Sequence, residues 1–173
     1  MEKQAEIKKL TIDLYRYGYK AQRTPKDGLY DLIKKLPKNL VMAEIGYWAG
    51  ESAEIFLKSG KVNKFYAIDQ YGTAPYFSVA EKLFDLRTQG YDVVKIRGNT
   101  STVKLPDLDF VYIDDDHSLK AVSRDINWAL ARNHKFIGGH DYGEGYQNTV
   151  ILAVDKLLGI PKTFKDKNWL VKL

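Results

Sequence analysis

The spacing of apolar positions along this chain changes near residue 40. Before it, Ile7, Leu10 and Leu14, then Leu29, Leu32, Ile33 and Leu36, recur mostly three or four residues apart, the period of one helical face. That spacing predicts two short helices leading into the domain. The stretch between them, Tyr17-Gly18-Tyr19 to Asp27-Gly28, carries turn formers, and Pro37-Lys38-Asn39 ends the second helix. From Leu40 onward, short apolar runs alternate with amphipathic stretches, the signature of parallel strands joined by crossover helices. Strands are expected over residues 40–45, 64–68, 92–96, 110–114 and 135–138, with helices over 51–59, 76–89 and 119–131. A last helix is expected over 150–158, stopped by Gly159 and Pro161. The tail alternates through Thr163, Lys165, Trp169 and Val171, which predicts an antiparallel hairpin at the sheet edge. The expected fold class is α/β: a central, mostly parallel sheet, helices on both faces and an antiparallel C-terminal edge.

Composition narrows the class. The 173 residues suit one domain spanning 1–173, with a helical lead-in over about 1–38. A 45% hydrophobic, 28% charged composition is that of an ordinary globular protein. No apolar run approaches the roughly 18 to 20 residues of a membrane helix. The charged start Met1-Glu2-Lys3-Gln4 lacks the apolar core of a signal peptide. Absence of cysteine excludes a disulfide framework and a thiolate metal site, and a cytoplasmic location is the expectation. The net charge of +5 is spread over many lysines without a dense basic run, which favours a solvated surface over a nucleic-acid partner. A small-molecule acceptor is therefore the expected partner, with no nucleic acid, no membrane and a homodimer left open. Of the twelve tyrosines, most are expected to cover the core and several to line a pocket.

Four polar pieces sit at the expected carboxyl ends of strands, where open α/β sheets bind ligands. The first is Glu44-Ile45-Gly46-Tyr47-Trp48-Ala49-Gly50-Glu51-Ser52, a strand running into a loop with glycines four apart and then a helix. Glycine there permits a sharp turn and close approach of a ligand, and the helix N-terminus offers free N–H groups. Purely structural turns use the same residues. Trp48 occupies the place where a dinucleotide binder needs its middle glycine, which favours a ligand without pyrophosphate. The second piece is Asp69, followed by Gln70, placed either to accept hydrogen bonds from a ribose diol or to cap the next helix. The third is Arg97-Gly98-Asn99-Thr100-Ser101, suited to an adenine edge or to an ordinary turn. The fourth is Asp114-Asp115-Asp116-His117. Three adjacent carboxylates repel unless a cation or a shared proton intervenes; they suit either a divalent cation with oxygen ligands or the cap of a helix starting near Ser118. Gly138-Gly139-His140-Asp141 adds potential ligands at the same edge.

This order resembles class I S-adenosylmethionine (SAM)-dependent methyltransferases. The segments E-I-G-x-x-x-G-E-S, Y-A-I-D, F-V-Y-I-D-D-D-H-S followed by V-x-x-D-I, and G-H-D-Y then A-V-D look like the methyltransferase-24 type family. That family is related to macrocin-type and catechol-type O-methyltransferases, and the similarity covers about residues 40–158. It implies a Rossmann-like methyltransferase fold with SAM as cofactor. Glu44, Gly46 and Gly50 would shape the methionine pocket, Asp69 would bind the ribose, and Asn99 would approach the adenine. Tyr47, Ser52, Gln70, Thr100 and Asp114 join the implied cofactor-binding set. Asp114 with His140 and Asp141 would hold Mg2+ or another divalent cation, and Asp114 and His117 form the catalytic pair, His117 as general base. His140, where catechol-type relatives carry Asp, makes the ligand set softer, and Asn133-His134 replaces a usual glycine pair. The loop Asp141-Tyr142-Gly143-Glu144-Gly145-Tyr146 is a lid or a flexible turn. The implied activity is O-methylation of a small hydroxylated molecule, a sugar or natural product, with metal assistance. Two alternatives stay open: a SAM-binding regulatory or partner protein without transferase activity, and a nicotinamide-cofactor enzyme, against which Trp48 counts.

Overall fold

The computed structural model describes residues 2–19, 26–132, 135–143 and 148–173. Two helices come first, α1 (Glu2–Arg16) and α2 (Asp27–Lys35). Strands and helices then alternate: β1 (Leu40–Ile45), α3 (Glu51–Lys58), β2 (Val62–Asp69), α4 (Pro75–Thr88), β3 (Val93–Arg97), β4 (Phe110–Ile113), α5 (Leu119–Leu130), β5 (Phe136–Gly139) and α6 (Thr149–Leu158). The tail forms β6 (Lys162–Thr163), a 3-10 turn (Lys165–Lys167) and β7 (Trp169–Lys172).

The described residues form a seven-stranded sheet in the order β3-β2-β1-β4-β5-β7-β6. Pairings among β1 to β5 are parallel, and β7 runs antiparallel to both β5 and β6. The chain leaves β1 for β2 and β3 on one side and returns to place β4 on the other. The carboxyl ends of β1 and β4 therefore flank the topological switch point, where a crevice opens.

Alternate side chains of each strand enter different cores, as a two-residue period requires. Met42, Phe65, Ala67, Phe110 and Tyr112 pack with α1, α2, α3 and α4. Ala43, Ile45, Ile68, Val111, Ile113 and Ile137 pack with α5 and α6. Helices thus cover both faces, as expected. Strand and helix ends fall within two residues of those read from the sequence, and the tail makes the expected antiparallel edge.

Long-range contacts set the ends of several elements. Lys61 Nζ donates to the carbonyls of Ile33 (2.8 Å) and Leu36, closing the C-terminus of α2. Asp166, 138 residues further along the chain, accepts the Gly28 N–H at 3.0 Å in the first turn of α2. Gly28 is needed there, because a Cβ would stand 1.7 Å from the Lys165 carbonyl oxygen. Ser118 caps α5 by accepting the Ala121 N–H at 3.3 Å, so the helix takes its cap from serine and not from Asp115 or Asp116. Asn133, His134 and the segment Glu144 to Tyr146 of the expected lid lie outside the described residues. Among the described residues no helix is long and apolar enough to cross a membrane.

Candidate active site

Strand register brings the polar residues of five strands onto one rim. Ile45 stands opposite Ile68 and Ile113, Ile113 opposite Gly139, and Gly139 opposite Trp169. One position beyond lie Asp69, Gly46, Asp114 and His140, and on antiparallel β7 the matching residue is Asn168. Backbone hydrogen bonds carry the ladder into this row: Gly46 N–H to Ile68 O (2.8 Å), Asp114 N–H to Ile45 O (2.8 Å) and His140 N–H to Ile113 O (3.1 Å).

The glycine loop answers first to protein packing. Gly46 has φ +86°, and a Cβ there would sit 2.2 Å from the Asp114 carbonyl oxygen. A Cβ on Gly50, at φ +77°, would meet the Phe84 ring of α4 at 2.7 Å. Both positions need glycine before any ligand arrives. Arg87 of α4 fastens the same loop, donating to the Ala49 carbonyl at 2.7 Å and to Glu51 at 3.3 Å while only 8% exposed.

Glu44 is fully buried beneath this loop. The Ser52 hydroxyl donates to its Oε1, and its Oε2 has no partner among the described residues. Burial, with the nearby Asp114 and Asp69 charges, pushes the Glu44 carboxyl up to about 8. A buried, half-satisfied carboxyl calls for a donor or a cation.

Asp69 already accepts two main-chain hydrogen bonds at 3.0 Å, from Trp48 N–H and Tyr71 N–H. Burial raises its pKa against those bonds. Gln70 is exposed, and its side-chain hydrogen bond partly offsets the burial that raises the Asp115 pKa. Asn99 folds into its own turn, its Oδ1 accepting the Ser101 N–H at 2.9 Å. Thr100 is buried, its hydroxyl bonded to Asp125 and also accepting from Arg124 Nε at 3.0 Å. The three adjacent carboxylates diverge: Asp116 accepts the Ser118 N–H at 2.8 Å, Asp115 faces the Asp69 side, and Asp114 turns toward the histidines.

Asp114, His140 and Asp141 offer ligand atoms within 4.8 Å of one another. Asp141 Oδ2 lies 2.6 Å from His117 Nε2 and 3.1 Å from His140 Nδ1, and Asp114 Oδ1 lies 3.9 Å from both rings. Burial pushes Asp114 up to about 6. Burial also works against the Asp141 charge, but hydrogen bonds from both histidines hold its pKa well below the usual carboxylate range. His117 is raised by its bond to Asp141, and His140 is raised by Asp141 and Asp114 in spite of burial. The Trp169 indole N–H fixes His140 by donating to its carbonyl at 3.1 Å. Two carboxylates and one imidazole suit a first-row divalent ion better than Mg2+, and such an ion would compete with His117 for Asp141.

A cavity of about 300 Å³ joins these parts. Of the sequence-expected residues it is lined by Gly46, Tyr47, Gly50, Ser52, Asp114 and His140. Glu44, Asp69, Gln70, Asn99, Thr100, His117 and Asp141 are not part of its wall. Trp48 and Tyr19 border it, with ring centroids 5.1 Å apart. The sequence reading missed Arg87, Asn168 and Tyr112, all at the wall; Tyr112 donates to Asn168 Oδ1 at 2.8 Å. Only the placement of Asn168 directly before the Trp169 strand hinted at its role.

No family model and no curated protein matches the sequence. Solved structures do resemble the fold. An O-methyltransferase from Bacillus cereus in complex with SAH superposes with a TM-score of 0.65 at 12% identity, over 96% of this chain and 89% of that one. A proposed O-methyltransferase from Klebsiella pneumoniae gives 0.63 at 13% identity, over 96% and 88%. A protein of the NADB-Rossmann superfamily from Streptococcus agalactiae gives 0.60 at 10% identity, over 87% and 67%. The chain has a Rossmann-like α/β fold with an antiparallel C-terminal edge, and its likeness to these structures is one of fold.

Proposed function

We propose that this protein is a SAM-dependent methyltransferase acting on a hydroxyl group of a small molecule. The observation that carries the reading is one cavity running from the Gly46–Gly50 loop to Asp114 and His140. It joins a place for the methionine end of SAM to Asp114 and His140, which stand beside the His117–Asp141 pair. Bound SAM supplies an electrophilic methyl group on a sulfonium. Ser52 lines the cavity where the methionyl group would enter, and Glu44, buried and bonded to Ser52 with its Oε2 unpartnered, is assigned as a polar partner for its ammonium. Asp69 is assigned to the ribose hydroxyls; one lone pair on each oxygen is already engaged by Trp48 and Tyr71, which fixes the carboxylate plane. Asn99 and Gln70 are assigned to the adenine side, with Thr100 anchoring that loop from within through Asp125.

His117 is assigned as the base that takes the acceptor proton. Asp141, at 2.6 Å, orients the ring and stabilises the imidazolium once formed, as a carboxylate does for a catalytic histidine. A divalent cation, where present, would be held by Asp114, His140 and Asp141 and would supply Lewis acidity toward the hydroxyl. Isothermal calorimetry with SAM and with SAH tests the reading, followed by mass spectrometry of hydroxylated acceptors incubated with SAM. Micromolar binding of both and a product 14 mass units heavier, the mass of one methylene, are expected on general chemical grounds. Absence of SAM and SAH binding would overturn it; binding with no product from a broad acceptor panel would leave a SAM-binding protein without transferase activity.

A further inference from the structure

The cavity is not confined to the polar rim. From Gly46 and Ser52 it reaches α1, α2, α3 and α4, where Leu14, Leu29, Ile55 and Leu83, together with Thr11 and Lys26, form part of its wall. The four aliphatic residues belong to the buried core on that face, and none is more than 6% exposed. Native cores seldom leave voids much larger than one water, because lining atoms then lose their contacts on one side. A cavity of about 300 Å³ is far larger than a packing defect and reaches the size of small-molecule sites. Water gains few hydrogen bonds against leucine and isoleucine, so an aliphatic lobe of this kind stays poorly hydrated and favours an apolar occupant. The aromatic pair Tyr19 and Trp48 stands beside it, backed by Tyr76 at 4.5 Å from the Tyr19 ring.

We infer that the acceptor is amphipathic: its hydroxyl-bearing head sits at the Asp114–His140 end, and an aliphatic substituent fills the lobe lined by Leu14, Leu29, Ile55 and Leu83. This rests on the methyltransferase reading and narrows its substrate class. A bare sugar leaves the lobe empty, whereas a hydroxylated compound with a short alkyl or similarly apolar arm occupies both ends of one cavity. Arg87 and Glu51 also line the cavity and are paired with each other at 3.3 Å, so this ion pair asks for no charge on the substituent. Lys26 is the other charged side chain of that wall, and its long stem leaves room for an apolar neighbour.

The test uses the full chain and 1,2-alkanediols from propane- to octanediol, with affinities measured by calorimetry with and without saturating SAH. Affinity is expected to rise about fourfold for each added methylene, the ratio given by burying one CH2, and then to level off as the lobe fills. The rise should persist with SAH bound. Leu29→Phe and Ile55→Phe should each bring the plateau to a shorter chain while leaving SAH affinity unchanged. A flat series on the native protein overturns the inference without touching SAM binding. So does a chain-length dependence that disappears with SAH, because the lobe would then belong to the methionyl group. If SAH itself does not bind, the methyltransferase reading fails first, and the two failures are distinguishable in the same titrations.

Discussion

At the residue scale, an acid on the rim and one buried below it make opposite demands on their surroundings. Asp69 is held in place by Trp48 and Tyr71 N–H groups and is assigned to the ribose. Removing it deletes charge-assisted hydrogen bonds, each of about 1.5–3 kcal/mol. Asp69→Ala should therefore weaken SAM binding at least tenfold in a calorimetric titration, and unchanged affinity would refute the ribose assignment. Glu44 is instead buried with one oxygen unsatisfied, and its pKa is raised to about 8 from an ordinary 4.5. The folded state then keeps a proton that the unfolded chain releases. Its stabilising contribution is complete below about pH 4.5 and is lost as pH rises through about 8. Between pH 5 and 8 the native protein should lose stability with pH more steeply than Glu44→Gln, by up to about 1.4 kcal/mol per pH unit, the free energy of one proton. Urea melts across that range decide it; parallel slopes would show that Glu44 is charged in the folded protein.

At the element scale, glycine and cap positions answer to neighbours distant in sequence. The Gly46 turn abuts the end of β4, so a methyl group there must push backbone away from the Asp114 carbonyl, 2.2 Å distant. Gly46→Ala should cost on the order of 3 kcal/mol through positive φ and overpacking. Gly60→Ala, also at positive φ but with no atom within 4 Å of its Cβ, should cost only about 1 kcal/mol. Equal losses in chemical denaturation would remove the packing explanation. The cap of α2 by Asp166 couples the N-terminal lead-in to the tail: Asp166→Ala should remove about 1 kcal/mol and raise amide exchange in α2. That helix is read from its apolar period alone, yet its first turn is completed from the opposite end of the chain.

At the scale of the whole molecule, the proposed metal and proton-transfer group is assembled from two strand ends and a helix entry. Asp114 and His117 follow β4, and His140 and Asp141 follow β5. Calorimetry with Mn2+ should show a site weakened at least tenfold in His140→Ala, as loss of one of three ligands implies. Equal affinity in native and variant protein would remove His140 from the ligand set. Strand and helix positions were legible because two buried faces impose alternation on each strand and a 3.6-residue period on each helix, and those constraints are local. The polar residues after β1, β2, β4 and β5 were legible for the same reason: a strand that ends at a crevice changes abruptly from apolar to polar. The aromatic wall at Tyr19 and Trp48 and the Arg87 clamp were not, because each joins segments unrelated in local pattern.

The chain by itself determined a parallel α/β sheet with an antiparallel end and placed Glu44, Asp69, Asp114 and His140 at strand termini, since burial periodicity is written in neighbouring residues. Only the tertiary structure decided which of those termini share a cavity. Register across β2, β1, β4, β5 and β7 brought Asn168 into the row, turned Thr100 toward Asp125 instead of an open pocket, and showed that Gly46 is required by the Asp114 carbonyl. Of the four aliphatic side chains that give the cavity its apolar lobe, Leu14 and Leu29 were legible as positions on a helical face. That they border a space and do not close it follows from how α1 to α4 pack, which no local pattern records.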